Sequence, residues 1–315
     1  MWLILAFLSA ASLGVYDSLK MKALNGNAVV PVLLLNTLFS SLIFLPFVVL
    51  SANTDVLDGT LLHVASGGWA QHKFIVGKAL LVLSSWVLGY YGMKHLPLTI
   101  VGPINAMRPV MVLVGALLLF GEWLNLWQWV GVLLAVVSFL LLGRSGKKEG
   151  IDFRHDIWIY MVVGAALLGA LSALYDKYLM APVADGGLGL DRMMVQSWFT
   201  FYQCAMMSVM LAVWWRVECR HHPVGNDSAA VYPVFRWDWA IVGISVFLSL
   251  ADFLYFYALS LPSAMISIVS MVRRGSVVVS FICGALFFHE KNLKAKAFDL
   301  ALVLLGMVFL YIGSR

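Results

Sequence analysis

The chain has 315 residues, of which 62% are hydrophobic and only 12% are charged. Soluble domains carry about 25% charged residues, and the apolar residues here are spread along the whole chain. These values exclude a soluble globular protein and indicate a polytopic protein whose partner is the lipid bilayer. The net charge of +5 comes from basic residues scattered among short connections, a pattern that does not indicate a nucleic-acid partner.

Ten apolar stretches follow one another along the chain. A membrane-spanning helix needs about 20 mostly apolar residues, and we predict one near each of these positions: 2–20, 28–50, 74–93, 98–120, 126–143, 157–177, 193–214, 239–258, 263–288 and 297–313. The first stretch lacks a basic n-region, so we interpret it as a span rather than a signal peptide. The remaining connections are too short to hold a soluble domain.

A short motif in the first span recurs in the sixth. SLGVYDSLKM at 12–21 resembles SALYDKYLM at 172–180, so that Tyr16–Asp17 recurs as Tyr175–Asp176. These residues either mark helix ends at the membrane interface, or form a gate where the two halves of the chain meet. Both interpretations remain open at this stage.

A longer stretch of the third and fourth spans recurs in the eighth and ninth. The sequence that begins at Leu83 aligns without a gap with the sequence that begins at Leu248, which pairs Arg108 with Arg273. Each half of the chain then holds five spans, and an odd number of spans makes two repeats inverted in the membrane. We therefore predict an all-α membrane protein of ten transmembrane helices, built from two five-helix repeats at 1–143 and 157–313.

This pattern resembles the drug/metabolite transporter superfamily, specifically its ten-helix EamA-like members. The resemblance rests on the five-plus-five spans, on Leu-Pro pairs at 96–97 and 261–262, and on the dipeptides Gly121–Glu122 and His289–Glu290, which each follow an apolar helix. It implies alternating access around a central cavity lined mainly by helices 1, 3, 4, 6, 8 and 9. It leaves the substrate open, because the family includes amino-acid exporters, nucleotide-sugar transporters and triose-phosphate translocators.

The basic residues separate strongly between the two membrane faces. Thirteen of the 21 Lys and Arg residues lie in connections that follow odd-numbered spans, and four lie on the other face. Because cytoplasmic loops carry an excess of Lys and Arg, we predict a cytoplasmic inner-membrane protein with both termini on the extracytoplasmic side.

The ninth span contains adjacent arginines, Arg273 and Arg274. Arginine at the bilayer centre costs about 2.5–3.5 kcal/mol on insertion scales, so such a residue needs a partner or a function. Ser267, Ser270 and Arg274 share one helical face, whereas Arg273 lies about 100° away around the axis. The serine stripe favours Arg274 for substrate binding, and the internal repeat favours Arg273; the other arginine would hold an acid or a neighbouring helix.

Arg108 lies near the middle of the fourth span, and Asn105 precedes it by one turn. Central arginines in two repeat-related helices would approach a shared site from both halves. The alternative to substrate binding is a buried structural ion pair of Arg108 with Asp252 or another acid.

Asp252 belongs to a polar stripe of the eighth span that includes Ser245, Ser249 and Tyr255. A carboxylate in a water-poor site takes up a proton more readily than one in water, so Asp252 could couple transport to protons. We favour the interpretation that it is the counter-ion of an arginine, and the two roles are compatible. Lys78, one turn into the third predicted span, either extends to the interface or takes part in gating.

Aromatic and amide side chains add candidates for the wall of a binding cavity. Each is more typical of packing when taken alone, but together with the arginines they predict a cavity that stacks a planar or ring-bearing solute. The members of this set are Trp86, Tyr90, Tyr255 and Gln203, and Asn36 is a weaker candidate.

The balance of deep charges suggests the substrate. Arg108, Arg273, Arg274 and Lys78 face a single deep acid, Asp252, in the predicted spans. Unpaired buried cations are costly, and the planar fork of arginine suits carboxylate or phosphate. We therefore predict a secondary transporter of a small anionic or zwitterionic metabolite, with a lipid-head-group flippase or an exporter of amino acids or drugs as alternatives.

Neither a cofactor nor a catalytic or metal site is predicted. The sequence has no P-loop, so ATP is not the direct energy source, and the zinc-protease pattern HExxH is also missing. All seven histidines lie near loops or span ends, which leaves no deep histidine for an intramembrane enzyme.

Overall fold

The computed structural model describes residues 2–24, 27–96, 107–120, 156–221, 235–261 and 266–276, with shorter pieces within 101–105, 125–137 and 278–313. Within these ranges the chain is helical and has no β-strand. Eight α-helices are described: α1 (Trp2–Leu24), α2 (Val29–Asn53), α3 (Trp69–His95), α4 (Arg108–Phe120), α5 (Ile157–Met180), α6 (Arg192–His221), α7 (Ala240–Ser260) and α8 (Ile266–Arg274). A single 3-10 turn, Val183–Asp185, lies between α5 and α6.

Five of the described helices are long and apolar enough to cross a membrane: α1, α2, α3 through Gly92, α5 and α7. They confirm the spans predicted near 2–20, 28–50, 74–93, 157–177 and 239–258. The seventh predicted span forms α6, while the fourth, fifth, ninth and tenth lie partly or wholly outside the described residues. The protein is therefore a multi-pass membrane protein.

Aspartate side chains set the beginning of three helices. Asp156 accepts a hydrogen bond from the Trp158 amide at 2.9 Å at the start of α5. Asp191 accepts one from the Met194 amide at 2.8 Å before α6, and Asp238 bonds the Ala240 amide before α7. Such caps satisfy amide groups that have no partner in the first turn.

Helices from the first part of the chain pack mainly on helices from the second part. The most extensive contacts join α1 to α7 and α3 to α5, and α2 lies against α6 and α7. The Ser9 hydroxyl donates to the Ala251 carbonyl at 2.7 Å across the first pair, and the Ser85 hydroxyl donates to the Ala165 carbonyl at 2.7 Å across the second. Buried hydrogen bonds of this kind join helices where water is absent.

The connections meet at two opposite ends of the helix bundle. At one end, the Asn27 side chain donates to the Arg236 carbonyl at 2.8 Å and accepts from the Arg236 amide at 3.0 Å, which joins the α1–α2 link to the segment before α7. At the other end, Arg192 donates to the Leu61 carbonyl at 3.2 Å, which joins the start of α6 to the α2–α3 link. Successive helices therefore run in alternating directions from α1 to α3 and from α6 to α7.

Candidate functional site

A buried cavity lies between α2, α3, α6 and α7. Its lining is polar on three of these helices and includes aromatic rings: Asn36, Thr37, Ser40, Phe44, Trp86, Gln196, Phe199, Thr200, Gln203, Leu248, Ser249 and Asp252. The empty space is about 280 Å³, including its open side. The resemblance implied walls mainly from spans 1, 3, 4, 6, 8 and 9, whereas this cavity is lined by spans 2, 3, 7 and 8.

The cavity brings together three of the predicted site residues, Trp86, Gln203 and Asp252. Sequence reasoning did not single out Thr37 and Ser40 on α2. The signal that could have found the second of them is its spacing, because Asn36 and Ser40 are four residues apart and therefore share a helical face.

Asp252 on the cavity wall is the counter-ion of Arg273. Its carboxylate accepts a hydrogen bond from Arg273 Nη2, and both side chains are mostly buried. The Arg273 guanidinium lies 4.2 Å from the centre of the Tyr255 ring, within the range of a cation–π contact. The cavity is therefore bordered at Asp252 by an ion pair, and the arginine of that pair lies over an aromatic ring.

Lys78 forms a second ion pair, and this corrects two sequence expectations. Its ammonium group is bonded to Asp176 on α5, and both residues are buried. The ammonium also lies 4.7 Å from the ring centres of Phe199 and Phe256. Extension of Lys78 to the interface is therefore wrong, as is the assumption that Asp252 is the only deep acid, because α3 begins earlier than predicted and packs on α5.

Arg108 lies against α5 and is not bonded to Asp252. Its Nη2 donates to the Ala165 carbonyl at 3.4 Å, while its Nε is buried and has no hydrogen-bond partner among the described residues. The Oδ1 atom of the neighbouring Asn105 is in the same condition. Arg108 therefore has unused hydrogen-bonding capacity in the bundle interior.

Gly169 makes room for this arginine, since a Cβ atom there would lie 2.8 Å from Arg108 Cζ. We expect Gly169→Ala to displace the guanidinium and to slow transport severalfold. Gly164→Ala on the same helix is the matched control, because its nearest neighbour, Leu88, would be at an ordinary 3.5 Å. Transport assays on both variants check this, and equal rates would show that the position of Arg108 is unimportant.

The remaining gating candidates lie near α3 or α4. The Lys20 ammonium lies 5.5 Å from the centre of the Tyr16 ring and 4.2 Å from that of Tyr90, so a cation joins α1 to α3. The Tyr175 hydroxyl donates to the Phe74 carbonyl at 3.2 Å. Asp17 is near enough to Arg108 to interact with it electrostatically.

The serine stripe of the ninth span is only partly described. Ser270 is buried on α8. Arg274 ends that helix, but its side chain and that of Ser267 lie outside the described residues. Arg273 therefore has the role that was expected of the arginine that holds an acid. Substrate binding by Arg274 stays a prediction.

The model of the EamA-like transporter family matches residues 1–144. This part of the chain, a little less than half of its length, is similar to the EamA-like transporter family. The resemblance drawn from the repeated motifs is thereby confirmed over residues 1–144, and this match suggests a membrane transporter of the drug/metabolite transporter superfamily. A small molecule and the bilayer are the partners that this family implies.

A similar solved structure, described as "Crystal structure of protein", has a TM-score of 0.64 and 15% sequence identity. The match covers 99% of this chain and 95% of the other, so the two share a fold over almost their full lengths. No curated protein matches the chain.

Proposed function

We propose that the protein is a secondary active transporter that moves a small polar metabolite, anionic or zwitterionic, by alternating access. The observation that supports this most directly is the position of Asp252, which both lines the buried cavity and accepts a hydrogen bond from Arg273. A solute that enters the cavity would meet this ion pair. Binding could then change the pairing of charges, which is what coupling between a solute and a conformational change requires.

The helix contacts support two inverted repeats at 1–143 and 157–313. If spans 1 to 4 correspond to spans 6 to 9, the contact of α1 with α7 is the counterpart of the contact of α5 with α3. The contacts of α4 with α5 and of α8 with α1 are likewise counterparts. Inverted repeats with a site between them are typical of secondary transporters.

An anionic group on the substrate remains favoured, although the charge balance is closer than the sequence suggested. Lys78 and Arg273 each have a carboxylate partner. The buried Nε atoms of Arg108 and Arg273 have no hydrogen-bond partner among the described residues. A carboxylate or phosphate could use this capacity because both accept from two guanidinium nitrogens at once.

The two ion pairs are proposed to have different roles. The pair of Arg273 and Asp252 lies at the cavity and would respond to substrate or to a proton. The pair of Lys78 and Asp176 joins α3 to α5 next to Phe199 on the cavity wall, and would act as a gate together with the tyrosines at positions 16 and 175.

The basic end of the bundle is proposed to face the cytoplasm of a cell with an inner membrane. Asn27 and Arg236 bring together two connections that follow odd-numbered spans, and these connections belong to the Lys- and Arg-rich set. The positive-inside tendency then leaves both termini on the extracytoplasmic side.

Transport by reconstituted vesicles tests this proposal. Vesicles are offered separate libraries of anionic, zwitterionic and cationic metabolites, and uptake is followed by mass spectrometry. We expect Arg108→Ala and Arg274→Ala to slow uptake of anionic or zwitterionic compounds roughly tenfold or more, the usual effect of losing a hydrogen bond to a charged group. Arg216→Ala, at an exposed position on α6, is the control.

Uptake at the wild-type rate in both variants would contradict the anion site. Uptake of cationic compounds alone would contradict the argument from charge balance. Compartment-sensitive reporters on each terminus test the orientation separately.

A further inference from the structure

The cavity contains polar side chains that the protein itself does not use. Asn36, Ser40, Gln203 and Ser249 are each less than one-tenth exposed. Their amide or hydroxyl atoms have no hydrogen-bond partner among the described residues: both Asn36 side-chain atoms, Ser40 Oγ, Gln203 Nε2 and Ser249 Oγ. A buried polar group without a partner is unfavourable, and four around one cavity indicate a site whose partners come from outside.

The other polar residues around the cavity are already bonded. Thr37 donates to the Leu34 carbonyl at 2.9 Å, and Thr200 donates to the Gln196 carbonyl at 2.6 Å. The Gln196 amide donates to the Ser249 carbonyl at 3.0 Å. These bonded side chains contact backbone carbonyl groups of the helices. The unpartnered side chains remain available to bind a ligand.

The unpartnered atoms indicate the chemistry of that guest. Asn36 offers both a donor and an acceptor, Gln203 offers a donor, and each serine hydroxyl can do either. A group that both donates and accepts, such as a hydroxyl, matches all of these atoms. Asp252 on the same wall disfavours an anion inside the cavity itself, because like charges repel at short range.

Aromatic rings complete the cavity wall. Trp86, Phe44 and Phe199 line it beside the polar atoms. A small ring that carries hydroxyl groups can form hydrogen bonds through those groups at its edge. The C–H groups on its two faces can pack against the aromatic rings. The wall of the cavity consists of only twelve residues, which favours a compact guest.

We propose that this cavity binds the hydroxyl-bearing part of a compact polyhydroxylated molecule. The proposal rests on the transport function above and names the class of its substrate. Any anionic group on that molecule would lie beyond the cavity, toward Arg273, while the neutral hydroxyl groups pair with Asn36, Ser40, Gln203 and Ser249.

Binding to the purified full-length protein tests this. The probes are erythritol, xylitol, glucose and myo-inositol as neutral polyols, gluconate as an anionic polyhydroxylated compound, and cyclohexanol and glutamine as comparison compounds. Affinity is measured by microcalorimetry and thermal stability by the unfolding temperature Tm. We expect at least one polyol or gluconate to bind, and cyclohexanol and glutamine to bind more weakly.

Two pairs of variants separate this site from general effects of solutes on stability. Ser249→Ala and Gln203→Met are expected to weaken binding of the polyol roughly three- to tenfold each, as expected for one lost hydrogen bond. Ser245 lies one turn before Ser249, but its hydroxyl already donates to the Ile241 carbonyl. Ser245→Ala should therefore leave the affinity for the polyol unchanged. Gln203→Met should keep or raise Tm, whereas Gln196→Met should lower it because it removes a formed bond.

The outcomes distinguish this proposal from the transport function. If no polyol or gluconate binds, or if Ser249→Ala and Ser245→Ala have equal affinities, the polyol site is wrong even where vesicles transport other metabolites. Stronger binding of glutamine or cyclohexanol also contradicts it. If polyols bind at the cavity and vesicles transport nothing, the site stands and the transport function fails.

Discussion

Removal of one partner of the Lys78–Asp176 pair is expected to cost about 3–5 kcal/mol in the free energy of unfolding, because it leaves a single charge in the protein interior. The pair is buried between α3 and α5 and flanked by the rings of Phe199 and Phe256. Lys78→Met and Asp176→Leu should each lower the unfolding temperature by many degrees. The measurement is thermal unfolding of each variant, purified in the same detergent.

The double variant Lys78→Met/Asp176→Leu is the decisive control. Replacing both charges with apolar groups removes the penalty of the isolated charge, and such replacements are often neutral or stabilising. We therefore expect it to recover most of the lost stability, which a double-mutant cycle would show as strong coupling. Additive losses would mean that the two residues do not act as a pair.

The double variant also tests the proposed gate. If the pair only holds α3 to α5, a folded double variant should transport at the wild-type rate. We expect slower transport, because the pair joins helices from the two halves of the chain and its breakage would accompany their relative motion. Wild-type transport would contradict the gate while leaving the stabilising role intact.

Asp252→Asn is expected to slow transport about tenfold or more. It removes the carboxylate that pairs with Arg273 at the cavity, and the loss of one charge-assisted hydrogen bond corresponds to about 1.5–3 kcal/mol. If Asp252 also carries the coupled proton, the residual transport should no longer respond to a pH gradient across the vesicle. Uptake with and without the gradient measures both effects.

Two further variants sharpen this test. Asp252→Glu keeps the charge and should retain more activity than Asp252→Asn. Asp58→Asn, at an exposed carboxylate between α2 and α3, should behave as wild type. A normal response to the pH gradient in Asp252→Asn would remove Asp252 as the proton carrier and leave it as a counter-ion only.

The long apolar helices could be predicted from the sequence because hydropathy and length alone decide whether a helix can cross a membrane. The pairing of Asp252 with an arginine could also be predicted from the sequence. Charges are rare inside membrane helices and seek each other there, so few partners were possible. The sequence could not decide which arginine was meant, because that depends on the rotation of α8 about its axis.

The pairing of Lys78 with Asp176 could not be predicted in the same way. These residues are 98 positions apart, and their contact exists only because α3 packs on α5. The start of α3 at Trp69, ahead of the predicted span, also placed Lys78 deeper than hydropathy suggested. The cavity depended on packing too, since its polar atoms come from three helices whose individual stripes each had an ordinary structural explanation.

The packing of α1 on α7 and of α3 on α5 has a consequence for which substitutions the sequence can accept. Among the described helices, those of residues 2–120 pack mainly on those of residues 156–274, as two separate protein chains do in a complex. The covalent link ensures equal amounts of both and a high local concentration. Substitutions on the facing surfaces of such pairs should therefore compensate each other across the two halves rather than within one of them.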